Sequence, residues 1–462
     1  MNYRTKDFFK SLHGKKIALC GIGASNLPLI QKLTQQGAHV IACDKKSFSE
    51  LEENAVKAEK YGAQLRLGED YLKDLNVDIV VRTPGMRFYL PELIALKNKG
   101  VIITSEMELF FDLCPCLIIA VTGSDGKTTT TTIIAEFLKE AGFRVHLGGN
   151  IGQPLFSSIE TMLPDDIAVA ELSSFQLISM RRSPDIAVIT NITPNHLDMH
   201  KDMNEYVDAK KNILLHQGAF SKAVLNLDND ITNSLETCVR GTLVKFSHLQ
   251  KPRCGAYVKN GKIFYSNYGH ELEIMYADQI KIPGLHNVQN YLAAISAVWD
   301  LVSLDIVKKV AKNFSGVEHR AEFVREVNGV KYYNDSIASS PTRTVSGTLS
   351  LYDRKIILIA GGYDKNISYA PLGPVICDKV KLLILMGNTA DKILESVITS
   401  ENYRENQLRI CIVKNMEEAV KTAFDSSKQG DIVSMSPASA SFDLYKNFDE
   451  RGKHFKMLVN SL

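Results

Sequence analysis

Residues 117–129 read Leu-Ile-Ile-Ala-Val-Thr-Gly-Ser-Asp-Gly-Lys-Thr-Thr, and this stretch restricts the possible folds most. Six mostly apolar residues lead into a tight glycine turn that ends in Lys-Thr. An amphipathic run follows, with Ile133, Ile134, Phe137, Leu138 and Ala141 on one face. The pattern reads strand, loop, helix. Glycines let backbone N–H groups converge on an anion, and the helix N-terminus adds its partial positive charge. Gly123, Ser124, Asp125, Gly126, Lys127, Thr128 and Thr129 are therefore candidates to hold the phosphates of a nucleotide. Lys127 can reach the outer phosphates, and the Thr128 hydroxyl suits Mg²⁺. Val121 stands where the first glycine of G-x-x-x-x-G-K-T would be, so the loop is short. A Gly-Lys-Thr string alone also marks ordinary strand-to-helix turns; the strand before it and the helix after it favour a nucleotide site.

A chain of 462 residues is too long for one core and suggests two to four domains. Hydrophobic residues make up 45% and charged residues 23%, as in an ordinary soluble protein. A net charge of +2 argues against a nucleic-acid surface or a polybasic membrane surface. No apolar run approaches the roughly 20 residues needed to span a bilayer. The first residues lack the apolar core of a signal peptide, so a cytoplasmic location is expected. Of the eight cysteines, only Cys114-Pro115-Cys116 forms a close pair, and no second pair or histidine cluster stands at zinc spacing. The cysteines read as reduced, in the core or incidental.

Along the chain, strands alternate with helices. A strand at 15–20 enters the turn Gly21-Ile22-Gly23-Ala24-Ser25. A helix and a second strand, ended by Asp44, complete a β-α-β unit of the dinucleotide-fold kind. Asn26 stands where the third glycine of G-x-G-x-x-G would be. The unit thus reads as a nucleotide fold without a dinucleotide, whose turn can still hold a diphosphate such as that of a UDP-sugar. Strands follow at 77–82 and 101–104, and Thr83-Pro84-Gly85 makes a second turn at the same sheet edge. In the middle, residues 147–152 form another glycine-rich turn, and a short apolar strand delivers Glu171 at its end. A carboxylate there is well placed for Mg²⁺, although a surface glutamate at a strand end gives the same pattern. The strand at 186–190 ends in Asn191 to Asp198, where His196 is either a second metal ligand or a structural histidine. A helix at about 204–216 carries Lys210 and Lys211, which ordinarily face solvent. Short strands fill 222–282. Asn287 and Asn290 then open a helix and point from one face of its first turn, able to bond an adenine or a phosphate, or to serve as caps. The remainder, from Glu318, is again α/β, with loops at 360–365 and 436–441 after strands, where ligands of open sheets gather. Three tandem α/β domains are expected, at residues 1–110, 111–315 and 316–462.

With these motifs placed, the chain resembles the Mur ligase family, ATP-dependent amide-forming enzymes of peptidoglycan synthesis. The resemblance rests on Thr122 to Thr128, Glu171-Leu172-Ser173-Ser174-Phe175-Gln176, Asn191 to Asp198, Gly284 to Asn290, His319-Arg320 and Asn334-Asp335-Ser336, in the family's order. The tail Ser436 to Asp443, with Asn447-Phe448 and Glu450-Arg451-Gly452, is similar to that of D-glutamate-adding members, and the Asp-Asn-Pro-Arg string of diamino-acid-adding members is absent. The resemblance implies a Rossmann-like first domain, a P-loop-type central ATPase domain and a Rossmann-like last domain. It implies that ATP phosphorylates the carboxylate of UDP-N-acetylmuramoyl-L-alanine, and that the amine of D-glutamate displaces phosphate from the acyl phosphate. Catalysis is then largely positioning and charge neutralisation.

By motif match, Lys127 stabilises the moving phosphoryl group, Thr128 and Glu171 hold one Mg²⁺, and His196 holds a second. Asn287, Asn290, Arg320 and Asp335 bind ATP. Gly21, Ala24, Ser25, Asp44, Lys45, Thr83, Pro84, Gly85, Asn150 and Ser173 serve the UDP-substrate; Lys365, Ser441 and Phe448 serve D-glutamate. Lys210 stands where the family carries a lysine modified by CO₂. Successive helical residues point about 100° apart, so Lys210 can face the sheet edge while Lys211 does not. As a carbamate it would be an oxygen ligand for the second metal, beside His196.

Two positions depart from the family pattern. Asn195 stands where an acid is more usual. Ile337 replaces a lysine that contacts the amino acid's side-chain carboxylate, a role Arg343 can take over as a bidentate partner. With the near-neutral charge and no spanning apolar run, no nucleic-acid or membrane partner is expected, and a monomer is expected. The competing readings are another ligase of the superfamily, such as folylpolyglutamate synthase, and a nucleotide-binding protein without catalysis.

Overall fold

The computed structural model describes residues 3–23, 26–194 and 199–462. The site residues Ala24, Ser25, Asn195 and His196 lie outside the described residues. The chain is mixed α/β with mainly parallel sheets. It divides into two compact units, Met1–Gln279 with Val288–Lys312, and Ile280–Asn287 with Asn313–Leu462.

Among the described residues the first unit holds three sheets. One has five parallel strands: β1 (Lys16–Cys20), β2 (His39–Asp44), β3 (Gln64–Leu67), β4 (Ile79–Arg82) and β5 (Ile102–Ser105), in the order β3-β2-β1-β4-β5. The second has six parallel strands: β6 (Leu117–Thr122), β7 (Val145–Gly149), β8 (Ile167–Glu171), β9 (Ile186–Ile189), β10 (Lys222–Asn226) and β11 (Thr242–Phe246). Their order is β11-β10-β9-β6-β8-β7. A small antiparallel meander follows: β12 (Cys254–Lys259), β13 (Lys262–Asn267) and β14 (His270–Tyr276). Sheets covered on both faces have near-continuous apolar strands, and β6 and β8 fit that rule. Ile119, Ala120, Val121, Ala168, Val169 and Ala170 are wholly buried. Burying each larger side chain contributes about 1.5–3 kcal/mol. Because β6 lies between β8 and β9, with Val121 level with Glu171 and Thr122 level with Ile189, the chain emerging from β6 meets the ends of both neighbours.

The second unit has one six-stranded sheet: β15 (Glu322–Val327), β16 (Val330–Asn334), β17 (Ile356–Ala360), β18 (Val380–Leu385), β19 (Arg409–Ile412) and β20 (Ile432–Met435). The order is β15-β16-β20-β17-β18-β19, and only the β15–β16 pair is antiparallel. Separate apolar clusters cover its two faces, one around Leu358, Leu372 and Leu383, the other around Ile357, Ile384 and Phe455. Among the described residues no helix is long and apolar enough to cross a membrane.

Candidate active site

The turn after β6 fits glycine at two places. Gly123 has φ 152°, and a Cβ there would lie 1.9 Å from Thr190 Oγ1. Gly126 is left-handed at φ 77°, and a Cβ would lie 2.3 Å from Asn290 Oδ1. Any side chain would push the turn off its neighbours. The turn is then tied to the end of β9. Ser124 N–H donates to Asn191 O at 2.8 Å, and Asp125 N–H to Asn191 Oδ1 at 2.9 Å. Ser124 Oγ donates to Thr193 O and accepts from Thr193 N–H, both at 2.9 Å. Thr190 Oγ1 donates to Asp125 O. The helix Lys127–Glu140 begins at once, so Thr128 and Thr129 stand in its first turn. Lys127 Nζ arches back over the turn and donates to Gly123 O at 2.9 Å and Ser124 O at 2.8 Å. Asn290 accepts from Thr130 Oγ1 at 3.2 Å, so this amide buttresses the turn.

Beside the turn, Glu171 ends β8. Its Oε1 accepts from Asn150 Nδ2 at 2.9 Å. Among the described residues its Oε2, though buried, meets no hydrogen-bond donor. A buried carboxylate oxygen without a donor suits a hard divalent cation, and the half-buried Thr128 offers an oxygen of the same kind. Lys210, in the helix Met203–Leu215, is 1% exposed. Its ammonium donates to Gly123 O at 2.7 Å and Thr122 Oγ1 at 3.3 Å, and sits 4.8 Å from the Tyr206 ring centre. Burial, and then the charge of Lys127, hold its pKa well below the ordinary lysine range; Asp125 and Glu171 oppose the shift. Lys211, the next residue, is only half-buried.

Tyr206 and His200 carry the packing here, and sequence reasoning missed both. Tyr206 OH lies 2.9 Å from Ser124 Oγ. His200 stacks on Phe175 at 5.0 Å and an interplanar angle of 5°, with Nε2 2.8 Å from Ser174 Oγ and Nδ1 3.2 Å from Glu205. Ser173 caps the short helix Ser174–Leu177, exchanging bonds with Gln176, which spends its side chain on local structure.

A second edge of this unit gathers Gly21, Asp44 and Thr83. A Cβ on Gly21 would meet Thr83 Cγ2 at 2.7 Å, so the two turns touch. Asp44 is half-buried and accepts Ile22 N–H at 2.8 Å and Lys46 N–H at 3.0 Å, fixing the turn. Asn26, in place of the missing glycine, is buried and donates to the carbonyls of Cys20 and Gly21, both at 3.0 Å. Lys45 and Gly85 are exposed and Pro84 is half-buried. Arg82, also missed, ends β4 and is buried. It donates to Phe175 O at 3.0 Å and Ser179 Oγ at 2.7 Å, tying the Thr83 turn to the segment after Glu171. Its only sequence signal was a charge closing an apolar strand.

In the second unit, Asp335 is buried. Its Oδ2 accepts from Thr348 Oγ1 at 2.5 Å and Ser436 Oγ at 3.0 Å, and its Oδ1 from Ala321 N–H at 3.1 Å. Burial raises its pKa, the hydrogen bonds opposing. Arg320 follows His319, whose ring is held 2.9 Å from Asn334 Nδ2 and 3.0 Å from Asp449 Oδ1. Asn287 Nδ2 donates to Pro283 O at 2.6 Å. The buried Arg451 was missed as an organiser. It donates to the carbonyls of Ser336, Ser439 and Ala440, pinning the Asp335 loop to the buried Ser441 loop. Ser336 Oγ donates to Phe448 O at 2.7 Å, while the Phe448 ring is partly exposed. Lys365 and Arg343 are exposed, and Ile337 is half-buried.

This is an α/β protein whose polar groups collect at the carboxyl ends of parallel strands, where such proteins bind and transform ligands. Residues 121–298 match the Mur ligase middle domain, and residues 319–439 match the Mur ligase, glutamate ligase domain. The UDP-N-acetylmuramoylalanine--D-glutamate ligase of Acetivibrio thermocellus is 52% identical over 100% of both chains. The enzyme of that name from Clostridium botulinum is 51% identical over 99% of this chain and 98% of its own. Among solved structures, the UDP-N-acetylmuramate-alanine ligase of Thermotoga maritima shares the fold at 18% identity and a TM-score of 0.57, covering 97% of this chain and 99% of that one. The chain belongs to the Mur ligase family, whose members are ATP-dependent ligases.

Proposed function

We propose that this ligase joins D-glutamate to UDP-N-acetylmuramoyl-L-alanine in peptidoglycan precursor synthesis, through an acyl phosphate made at the expense of ATP. The full-length identity to enzymes named for that reaction carries the reading. A carboxylate is a poor electrophile, so the L-alanyl carboxylate must be activated; the amine of D-glutamate then attacks the acyl carbon and phosphate leaves. In this reading residues 1–110 bind the UDP-substrate, 111–315 bind ATP and 316–462 bind the amino acid, with a Rossmann-like, a P-loop-type and a Rossmann-like domain in that order.

Lys127 gives up its loop carbonyls for phosphoryl oxygens, which costs little because one set of acceptors replaces another. The N–H groups of Gly126 to Thr129 at the helix start meet the same phosphates, those of Ser124 and Asp125 being held by Asn191. Thr128 and the donor-less oxygen of Glu171 would hold Mg²⁺, which when bound offsets the charge of the phosphate oxygens. His196 and a carbamylated Lys210 would hold a second ion; a buried amine with a lowered pKa is neutral often enough to take up CO₂. Asn290 supports the nucleotide-binding turn, and Asn287, Arg320 and Asp335 act on ATP. The Gly21, Asp44-Lys45 and Thr83-Pro84-Gly85 turns, with Asn150 and Ser173, serve the UDP-substrate. Lys365, Ser441 and Phe448 serve D-glutamate, with Arg343 in place of the lysine that Ile337 replaces. A cytoplasmic monomer completes the reading.

The test is ADP release with UDP-N-acetylmuramoyl-L-alanine and a panel of amino acids. D-glutamate is expected to give the fastest release. Faster release with L-alanine or a diamino acid would overturn the assignment. Release with a pteridine substrate instead would point to folylpolyglutamate synthase chemistry, and no release with any substrate to a non-catalytic protein.

A further inference from the structure

The cysteines read from sequence as incidental include one pair with its own chemistry. Cys114-Pro115-Cys116 joins the helix Glu106–Leu113 to β6, the strand that runs into the Gly123 turn. The two Sγ atoms are 3.5 Å apart. Cys114 is half-buried and reachable from solvent, whereas Cys116 is 7% exposed. Cys114 has φ −58° and ψ 125°, the extended conformation a residue before proline favours, and Pro115 fixes the next φ. The backbone that brings the sulfurs together is therefore stiff, and little chain freedom is lost in linking them. By contrast, Cys20 and Cys43 are also neighbours, level with each other on β1 and β2, but both are wholly buried, out of reach of a reagent.

We propose that Cys114 and Cys116 form a redox-reactive dithiol that exchanges with small-molecule disulfides to give an internal Cys114–Cys116 disulfide. Cys114, the accessible sulfur, attacks the small disulfide R–S–S–R. A Cys114–S–S–R bond forms, one R–S⁻ leaves, and it takes up the proton that Cys114 loses. Cys116, already beside Cys114, then attacks the Cys114 sulfur and expels the second R–S⁻, which takes up the proton from Cys116. Two protein thiols are oxidised to one disulfide, and one small disulfide is reduced to two thiols. In the free pair the Cys114 thiol holds the Cys116 thiol below its ordinary pKa, while that contact and burial push the Cys114 thiol up, so the first attack is the slow step and higher pH speeds it.

The test uses the full native chain, fully reduced and then exposed to oxidised glutathione. Remaining thiols are blocked with iodoacetamide, and the peptide spanning 114–116 is weighed. The expected peptide is lighter by two hydrogens, carries no alkyl group, and is restored to two alkylated thiols by prior dithiothreitol. Cys116→Ser should stop at a glutathionyl group on Cys114, since nothing remains to resolve it. Wild type should also bind one equivalent of phenylarsine oxide, whose arsenic bridges two thiols with loss of water, and this should shield both cysteines from iodoacetamide. Recovery of the native peptide with both cysteines freely alkylated after either reagent would overturn the proposal, whether or not the variant folds.

Discussion

Lys210 shows most directly how one residue's place decides its chemistry. It and Lys211 are the same side chain on one helix, yet Lys210 is buried against Gly123 O and Thr122 while Lys211 is half-exposed. A buried ammonium beside Lys127 is costly, and a carbamate would turn that cost into an oxygen ligand. Lys210→Ala should lower ADP release by about a hundredfold or more, in line with loss of an electrostatic catalytic group, and short carboxylic acids should restore part of it. Lys211→Ala should stay near wild type. Full activity in the bare Lys210→Ala protein, or a loss that acetate and propionate leave unchanged, would remove the carbamate reading. The family resemblance singles out Lys210 in the sequence, and the helical step of about 100° allows it to differ from Lys211. What the sequence does not reveal is the set of partners brought from afar. Tyr206 beneath Ser124, His200 against Phe175, and Arg82 on Phe175 O are contacts between segments about 25 to 95 residues apart, and no local pattern encodes them.

At the scale of elements, strands with continuous apolar runs were readable because burial on both faces demands them, as in β6, β8, β17 and β18. Strands missed were of another kind. Gln64–Leu67 is a short, half-exposed edge strand, and Val145–Gly149 ends in two glycines that read as a turn. Those glycines belong to the strand because they pair with Ala170 and Glu171 of β8, and glycine is needed because a Cβ on Gly148 would strike Gln153 O at 2.3 Å and one on Gly149 would strike Glu171 O at 2.3 Å. The helix Glu106–Leu113 yields a pH prediction. Glu106 opens it, is 7% exposed, and accepts Phe156 N–H at 2.9 Å. Burial pushes its pKa from the ordinary 4.5 up to about 7, the hydrogen bond only partly opposing. The fold thus favours the neutral form. That contribution is fully present below the unfolded pKa, near 4.5, and is lost as pH rises through about 7. Glu106→Gln keeps an acceptor for Phe156 and cannot ionise. It should stabilise the protein by up to about 3 kcal/mol at pH 8 and by little at pH 4.5. Denaturant unfolding at both pH values measures this; an equal gain at both, or a loss at pH 8, would refute it.

For the whole molecule, the two units offer a test of where the UDP-substrate is bound. Each unit carries its own apolar clusters, so each is expected to melt as its own cooperative step. The chain has one tryptophan, Trp299, stacked on Tyr265 at 3.8 Å with parallel rings, and both belong to the first unit. Its fluorescence therefore reports that unit alone, while calorimetry records both transitions. All the turns assigned to the UDP-substrate, at Gly21, Asp44-Lys45 and Thr83-Pro84-Gly85, with Asn150 and Ser173, belong to the same unit. A ligand held there in the native state stabilises that unit by mass action, about 2.7 kcal/mol at a free concentration one hundred times its Kd. With UDP-N-acetylmuramoyl-L-alanine and no nucleotide, the transition seen by Trp299 should move up by several degrees and the other should stay in place. A shift confined to the transition that Trp299 does not follow would move the UDP-substrate out of the first unit and overturn the assignment of those turns.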